Sequence, residues 1–231
     1  MINTISSLIK LRSKLIVKTP NTLVLLLMPL GFSLLYNGML NNNGENGSEI
    51  LFISLTFTFG LSIGTLITST IGEEKEKNSL RSLRLIGVKS SEYILATIFY
   101  PSVISLLAII LYPVLIDGCN LREMSLNYFV ISALTALACI LFYFLIAWLS
   151  STQSQGQINS ILAMVLITLV PMFSQINETL QSINEYSFMA ALTQLLSEQK
   201  QVQIADSSFI GLVIWIISLF IANIFFYRKK A

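Results

Sequence analysis

Confinement of charge constrains this chain more than any other feature. Its 231 residues include 14 Lys or Arg and 12 Asp or Glu, and all of them fall outside six apolar runs. These runs cover residues 23–40, 50–71, 93–116, 128–149, 158–173 and 209–227. Lys, Arg or Asp at the centre of a spanning helix costs roughly 2.5–3.5 kcal/mol, so exclusion from every run is what lipid demands. A soluble domain of this size carries about 25% charged residues. This chain carries 11%, with 54% hydrophobic residues and a mean hydropathy of +0.75. Crossing a bilayer takes about 17–25 residues. Five runs are long enough, and the run at 158–173 becomes so if it borrows the uncharged residues 153–157. The expected fold class is an all-α membrane protein with six transmembrane helices, forming one domain over residues 1–231.

Basic residues then set the orientation. Lys10, Arg12, Lys14, Lys18, Lys75, Lys77, Arg81, Arg84, Lys89, Arg228, Lys229 and Lys230 fall on one side of a six-span arrangement. Only Arg122 and Lys200 fall on the other. The positive-inside rule places the richer side, and both termini, in the cytoplasm. The expected location is the cytoplasmic membrane, multi-pass. A net charge of +2 is too small to indicate a nucleic-acid partner. Cys119 falls in an outer loop and Cys139 inside the fourth span, which predicts two free thiols.

Three segments outside the spans have helical periodicity. In residues 1–19, Ile2, Ile5, Leu8, Ile9, Leu15 and Ile16 recur at helical spacing, with Lys10, Lys14 and Lys18 on the other side. That pattern predicts an interfacial helix on the inner leaflet, its lysines near anionic lipid headgroups. In the outer loop at 174–208, Ile183, Phe188, Ala191, Leu192, Leu195 and Leu196 predict a short amphipathic helix against the outer membrane face. Between the second and third spans, residues 72–92 combine dense charge with the apolar set Leu80, Leu83, Leu85 and Ile86. A compact amphipathic helix there suits a groove on a cytoplasmic protein. Ser90 or Ser91 is expected to cap the third span, with Glu92 in its first turn.

Much chemistry is missing. Without histidine the chain lacks the commonest metal ligand and the commonest general base. Glu73 and Glu74 suggest an intramembrane glutamate protease only superficially, since Asn78 stands where that chemistry needs Arg. No charged residue lies inside a run to serve as a proton relay. There is no Gly-x-x-x-x-Gly-Lys-Ser/Thr loop, so any nucleotide energy has to come from another chain. No catalytic, metal or cofactor residue is expected. The second span does carry a polar stripe, Ser54, Thr58, Ser62 and Thr65, beside Gly60 and Gly64. These residues either line a substrate path or let a neighbouring helix pack closely.

Residues 74–95, EKEKNSLRSLRLIGVKSSEYIL, resemble the acidic, Gly-Thr-Leu, leucine-rich, Ser-x-x-Glu pattern of ABC-2 type transporter permeases. The order of parts is similar over nearly the whole chain: an amphipathic amino-terminal helix, six spans, and a helical outer segment between the last two. Asn78 stands for the usual glycine, Ser79 for the threonine, and Thr97 where lysine often follows. The resemblance implies that the 72–92 loop is a coupling helix docking on a cytoplasmic ABC ATPase subunit, two copies per transporter. It implies that ATP and Mg are held by that partner, and that a second permease chain, identical or related, completes the assembly. Glu73, Glu74, Glu76, Leu80, Leu83, Arg84 and Leu85 are the expected ATPase-coupling residues. The uncharged spans and the family's small members imply export of a hydrophobic or amphipathic cargo, such as an antimicrobial peptide, drug or lipid-like molecule. Two other classes fit the composition: an ATP-independent channel or carrier, and a non-transporting immunity or anchor protein.

Overall fold

The computed structural model describes residues 2–18, 20–41, 44–122, 124–200, 202–203 and 205–230. Every element of regular structure among them is helical. In chain order they are α1 (Ile2–Lys18), α2 (Pro20–Leu40), α3 (Gly47–Glu76), α4 (Ser79–Leu85), α5 (Ser90–Leu115), α6 (Leu126–Leu149), α7 (Gln153–Phe173), α8 (Glu178–Glu185), α9 (Ala190–Leu196) and α10 (Ser207–Lys230). Six of these, α2, α3, α5, α6, α7 and α10, are long and apolar enough to cross a membrane. The expected six runs are therefore six helices. The short fifth run does extend back to Gln153, giving 21 residues. Both cysteines are free thiols.

The centre of the bundle is α3, almost wholly buried by α2, α5, α6, α7 and α9. Small residues make this possible. A Cβ built on Gly64 would lie 2.6 Å from the Tyr143 ring of α6, and one on Gly72 would lie 2.6 Å from the Gln153 Cα of α7. A Cβ on Gly60 would press on Met164 and Thr168 of α7 at 3.0 Å. Gly60 and Gly64 thus serve two neighbours, α7 and α6, where the sequence predicted one shared face. Gly60 lies within a π-helical turn at Thr58–Ile63 and Gly64 follows it, and the wider register of the turn rotates the second glycine away from the first.

Two expectations are corrected. The second span does not stop near Ile71 but runs on as helix to Glu76. Its Glu and Lys residues are good helix formers, and the stop comes from Asn78, whose φ of +52° is the left-handed conformation that Gly and Asn tolerate best. The segment at 174–208 is also not one helix. It is two short helices, α8 and α9, and Met189, Ala191, Leu192 and Leu196 are buried in the bundle core. Its periodic apolar face packs on α3, α6 and α10, because protein there offers closer packing than lipid. Ile183 on α8 stays exposed. Trp215 Nε1 of α10 donates to the Tyr186 carbonyl at 2.7 Å and ties the segment down.

Glycine contact distances make the central packing testable. Gly64→Ala should lower the thermal midpoint of the detergent-purified protein, since overpacking costs about 1–3 kcal/mol. Gly31→Ala, with nothing within 4 Å of its Cβ, should leave the midpoint unchanged or slightly raised. Equal midpoints for the two variants would contradict α3 as the tightly gripped helix.

Candidate functional site: the charged end of the central helix

Successive residues of a helix point about 100° apart. At the end of α3, that geometry sends Glu74, Lys75 and Glu76 toward three different neighbours.

Glu74 reaches α1 and α5. Its Oε1 accepts from Arg12 Nη2 at 3.0 Å, and its Oε2 accepts from the Tyr93 hydroxyl. Arg12 is only 4% exposed. Its Nη1 donates to Thr97 Oγ1, and its guanidinium lies 5.0 Å from the centre of the Tyr93 ring. One buried cation therefore bridges α1, α3 and α5, with only its Nε lacking a partner. Planar, two-armed Arg fits this role as Lys does not.

Lys75 reaches the end of α6. Its ammonium donates to the carbonyls of Ala147 at 2.7 Å, Trp148 at 3.0 Å and Ser150 at 2.7 Å. Three N–H donors meet three carbonyls that a helix end otherwise leaves unsatisfied. The charge lies at the negative end of the α6 dipole and 5.4 Å from the Trp148 ring. Glu76 does the converse for α7. Its Oε1 accepts from the Gln153 backbone N–H at 2.9 Å, putting a carboxylate at the positive end of that helix. Thr152 caps the same helix by accepting from Gln155 N–H. Glu73 pairs with Lys77 on the exposed side of the helix.

Beyond Asn78 the chain forms α4, which projects from the bundle. Leu83 faces back and packs on the core, while Leu85 and Ile86 are 82% and 80% exposed. The side chains of Leu80 and Arg84 lie outside the described residues. Gly87, at φ +90°, closes the helix, and Val88 N–H donates to the Leu83 carbonyl at 3.1 Å in a Schellman-type ending. Lys89, rather than Ser90 or Ser91, takes the cap position of α5, and Glu92 Oε2 accepts from its N–H. A cleft of about 280 Å³ opens between α1, the end of α3 and α4, lined by Leu11, Arg12, Ser69, Glu73, Lys77 and Leu83 among others.

The expected coupling set is thus divided. Glu74 and Glu76 are bonded inside the chain, Leu83 is half-buried, and Leu85 faces outward. The polar stripe of α3 lies elsewhere, within the bundle. Ser54, Thr58 and Thr65 donate to carbonyls of their own helix. Thr58 also meets the Tyr112 hydroxyl at 2.6 Å, and Ser62 reaches the α2 carbonyls of Leu25 and Leu26. Tyr143 donates to the Gly60 carbonyl at 2.6 Å. Thr58, Ser62 and Tyr143 thereby join helices within a packed core, while Ser54 and Thr65 turn back on their own helix.

Sequence reasoning missed Arg12 and Lys75. Arg12 follows Leu8 by four residues, so a cation sits on the apolar stripe of α1; that misplacement was the available signal. Lys75 stands among Glu and Lys residues, and nothing in the pattern separates it from a solvated charge.

A family model described as ABC-2 family transporter protein matches residues 1–225. No curated protein matches the sequence.

Breaking the bridge from one side should cost far more than removing it whole. Arg12→Met leaves the largely buried Glu74 without its cation and with only the Tyr93 hydroxyl, a loss of up to about 3–5 kcal/mol. The double variant Arg12→Met with Glu74→Met should recover most of that loss in a thermal-unfolding double-mutant cycle. Additive losses would mean that the two side chains do not act as a pair.

Proposed function

The chain belongs to the ABC-2 transporter family, and on that premise we propose that it is the permease subunit of an ATP-driven exporter. As a member it is a multi-pass membrane transporter subunit with no ATPase site of its own. Such permeases usually work with a cytoplasmic ABC ATPase. In this reading two ATPase subunits dock on two permease chains, identical or related, and hold ATP and Mg.

The observation that carries the reading is α4. A short helix that leaves Leu85 and, just beyond its end, Ile86 exposed, on a stem braced into the bundle, suits a partner that covers it. In this reading the chain lies in the cytoplasmic membrane with this end of the bundle and both termini in the cytoplasm, which the excess of basic residues on that side supports. There α4 is the coupling helix, α1 lies at the inner interface and the α8–α9 segment at the outer face. Leu85 supplies buried area against the ATPase, and Leu80 and Arg84 belong to the same proposed coupling set. Glu73 orients the contact from the exposed flank. Glu74, Glu76 and Leu83 hold the stem so that displacement of α4 passes to α3. ATP drives transport only because the closed ATPase dimer binds one packing of the helices better than another.

The cargo follows from what the spans lack. With no charge inside any apolar run, a hydrophobic or amphipathic molecule is the class this interior accepts: an antimicrobial peptide, a drug or a lipid-like compound. Peptide clearance and antibiotic resistance are the corresponding roles.

Leu85→Asp should leave membrane insertion and thermal stability intact while abolishing co-purification of the co-expressed ATPase. Leu83→Asp should also destabilise the fold, because its side chain packs inward. Undiminished recovery of the ATPase with Leu85→Asp would overturn the docking role.

A further inference from the structure

One side of α1 is pinned and the other is not. Leu8 and Arg12 are buried against the spans, whereas Lys10, Lys14 and Val17 are exposed. The helix contains no acidic residue. Only Thr19 separates it from α2, whose spanning part begins at Thr22, so this free side stands at the membrane boundary. Exposed lysines beside the exposed Val17 complement an anionic bilayer surface. Each lysine at such a surface favours seating about fivefold, and the two together roughly thirtyfold.

We propose that α1 senses the anionic membrane surface and that Arg12 relays its seating to the α4 knob. The relay is direct. Arg12 holds Glu74 on the stem entering α4 and, through Thr97 and the Tyr93 ring, the stem leaving it. Both ends of the 77–89 connection are therefore tied to one side chain of α1. A shift of α1 toward anionic headgroups moves that side chain, and the knob has to follow or the buried pair has to break. A broken pair leaves Arg12 with only Thr97 and the Tyr93 ring, and Glu74 with only the Tyr93 hydroxyl, in a largely desolvated site, so following is favoured. Arg12 is a positioning residue here, acting through Glu74, Tyr93 and Thr97. The proposal uses the α4 knob of the exporter reading, but its test needs no ATPase.

The test uses the full chain carrying Cys119→Ser and Ile86→Cys, labelled with an environment-sensitive dye. Cys139 is fully buried and stays unlabelled. Burial raises the native Cys119 thiol above its ordinary value, which slows its reaction; its replacement removes the remainder. Emission is compared in nanodiscs of phosphatidylcholine alone and of phosphatidylcholine with phosphatidylglycerol. The expected result is a salt-reversible emission shift in the anionic discs, absent when Lys10→Gln and Lys14→Gln are combined. Arg12→Lys keeps the charge beside Glu74 and should preserve the fold, yet lose about half the shift or more because one arm of the bridge is gone. No dependence on anionic lipid would overturn the proposal. So would a shift that survives the lysine substitutions, since it would come from the dye meeting lipid. A full shift in Arg12→Lys would overturn the relay through Arg12. Failure to recover an ATPase would sink the exporter reading and leave this measurement unaffected.

Discussion

A bundle that admits no charge into its interior has to make its strong electrostatic contacts at its ends. The end of α3 concentrates them. Arg12 and Glu74 form a buried pair, Lys75 closes the carbonyl end of α6, and Glu76 closes the N–H end of α7. Each contact satisfies a group that would otherwise be stranded at the boundary of a low-dielectric region. The hydroxyl contacts deeper in the bundle are weaker. Interhelical side-chain hydrogen bonds in membrane proteins average about 0.6 kcal/mol, so close packing along the small residues of α3 holds the middle and charge fixes the end.

This arrangement has a mechanical consequence. Because α3 touches most of the other spans and ends in residues wired to α1, α5, α6 and α7, it cannot be displaced alone. Force applied at α4 is shared among several spans at once, as a change between two packings of the bundle requires. The π turn at Thr58–Ile63 lies near mid-span on the same helix, where the backbone register is already altered. The end of α3 thus acts as a joint, and its stiffness comes from bonds that a soluble loop would make to water.

The spans were legible because lipid penalises a misplaced charge more than any local propensity can offset, so the six runs became six helices with shifts confined to their ends. The fifth was recoverable for the same reason, since residues 153–157 carry no charge. The α8–α9 segment was misread because an apolar face has the same period whether it meets lipid or protein. The split coupling set was hidden for another reason. Glu74, Glu76 and Leu85 look equally exposed in a charged loop, and only the continuation of α3 to Glu76 brings Glu74 to Arg12 and Glu76 to the start of α7. Asn78 was legible as a departure from the family pattern, and its left-handed backbone explains why glycine is the usual residue there. Arg12 left a trace in the periodicity of α1, whereas Lys75 left none, because its partners are main-chain carbonyls of a helix more than seventy residues away.

The central claim is that force from an ATPase enters this protein through α4. Its most direct test places a photo-crosslinking amino acid at position 86 of the otherwise native chain and irradiates living cells. The claim predicts a crosslinked product whose second component, identified by mass spectrometry, is a Walker-type ATPase, with none formed from a probe at Ile183 on α8. A probe at 86 that captures only lipid, or that is labelled by reagents confined to the cell exterior, would contradict it.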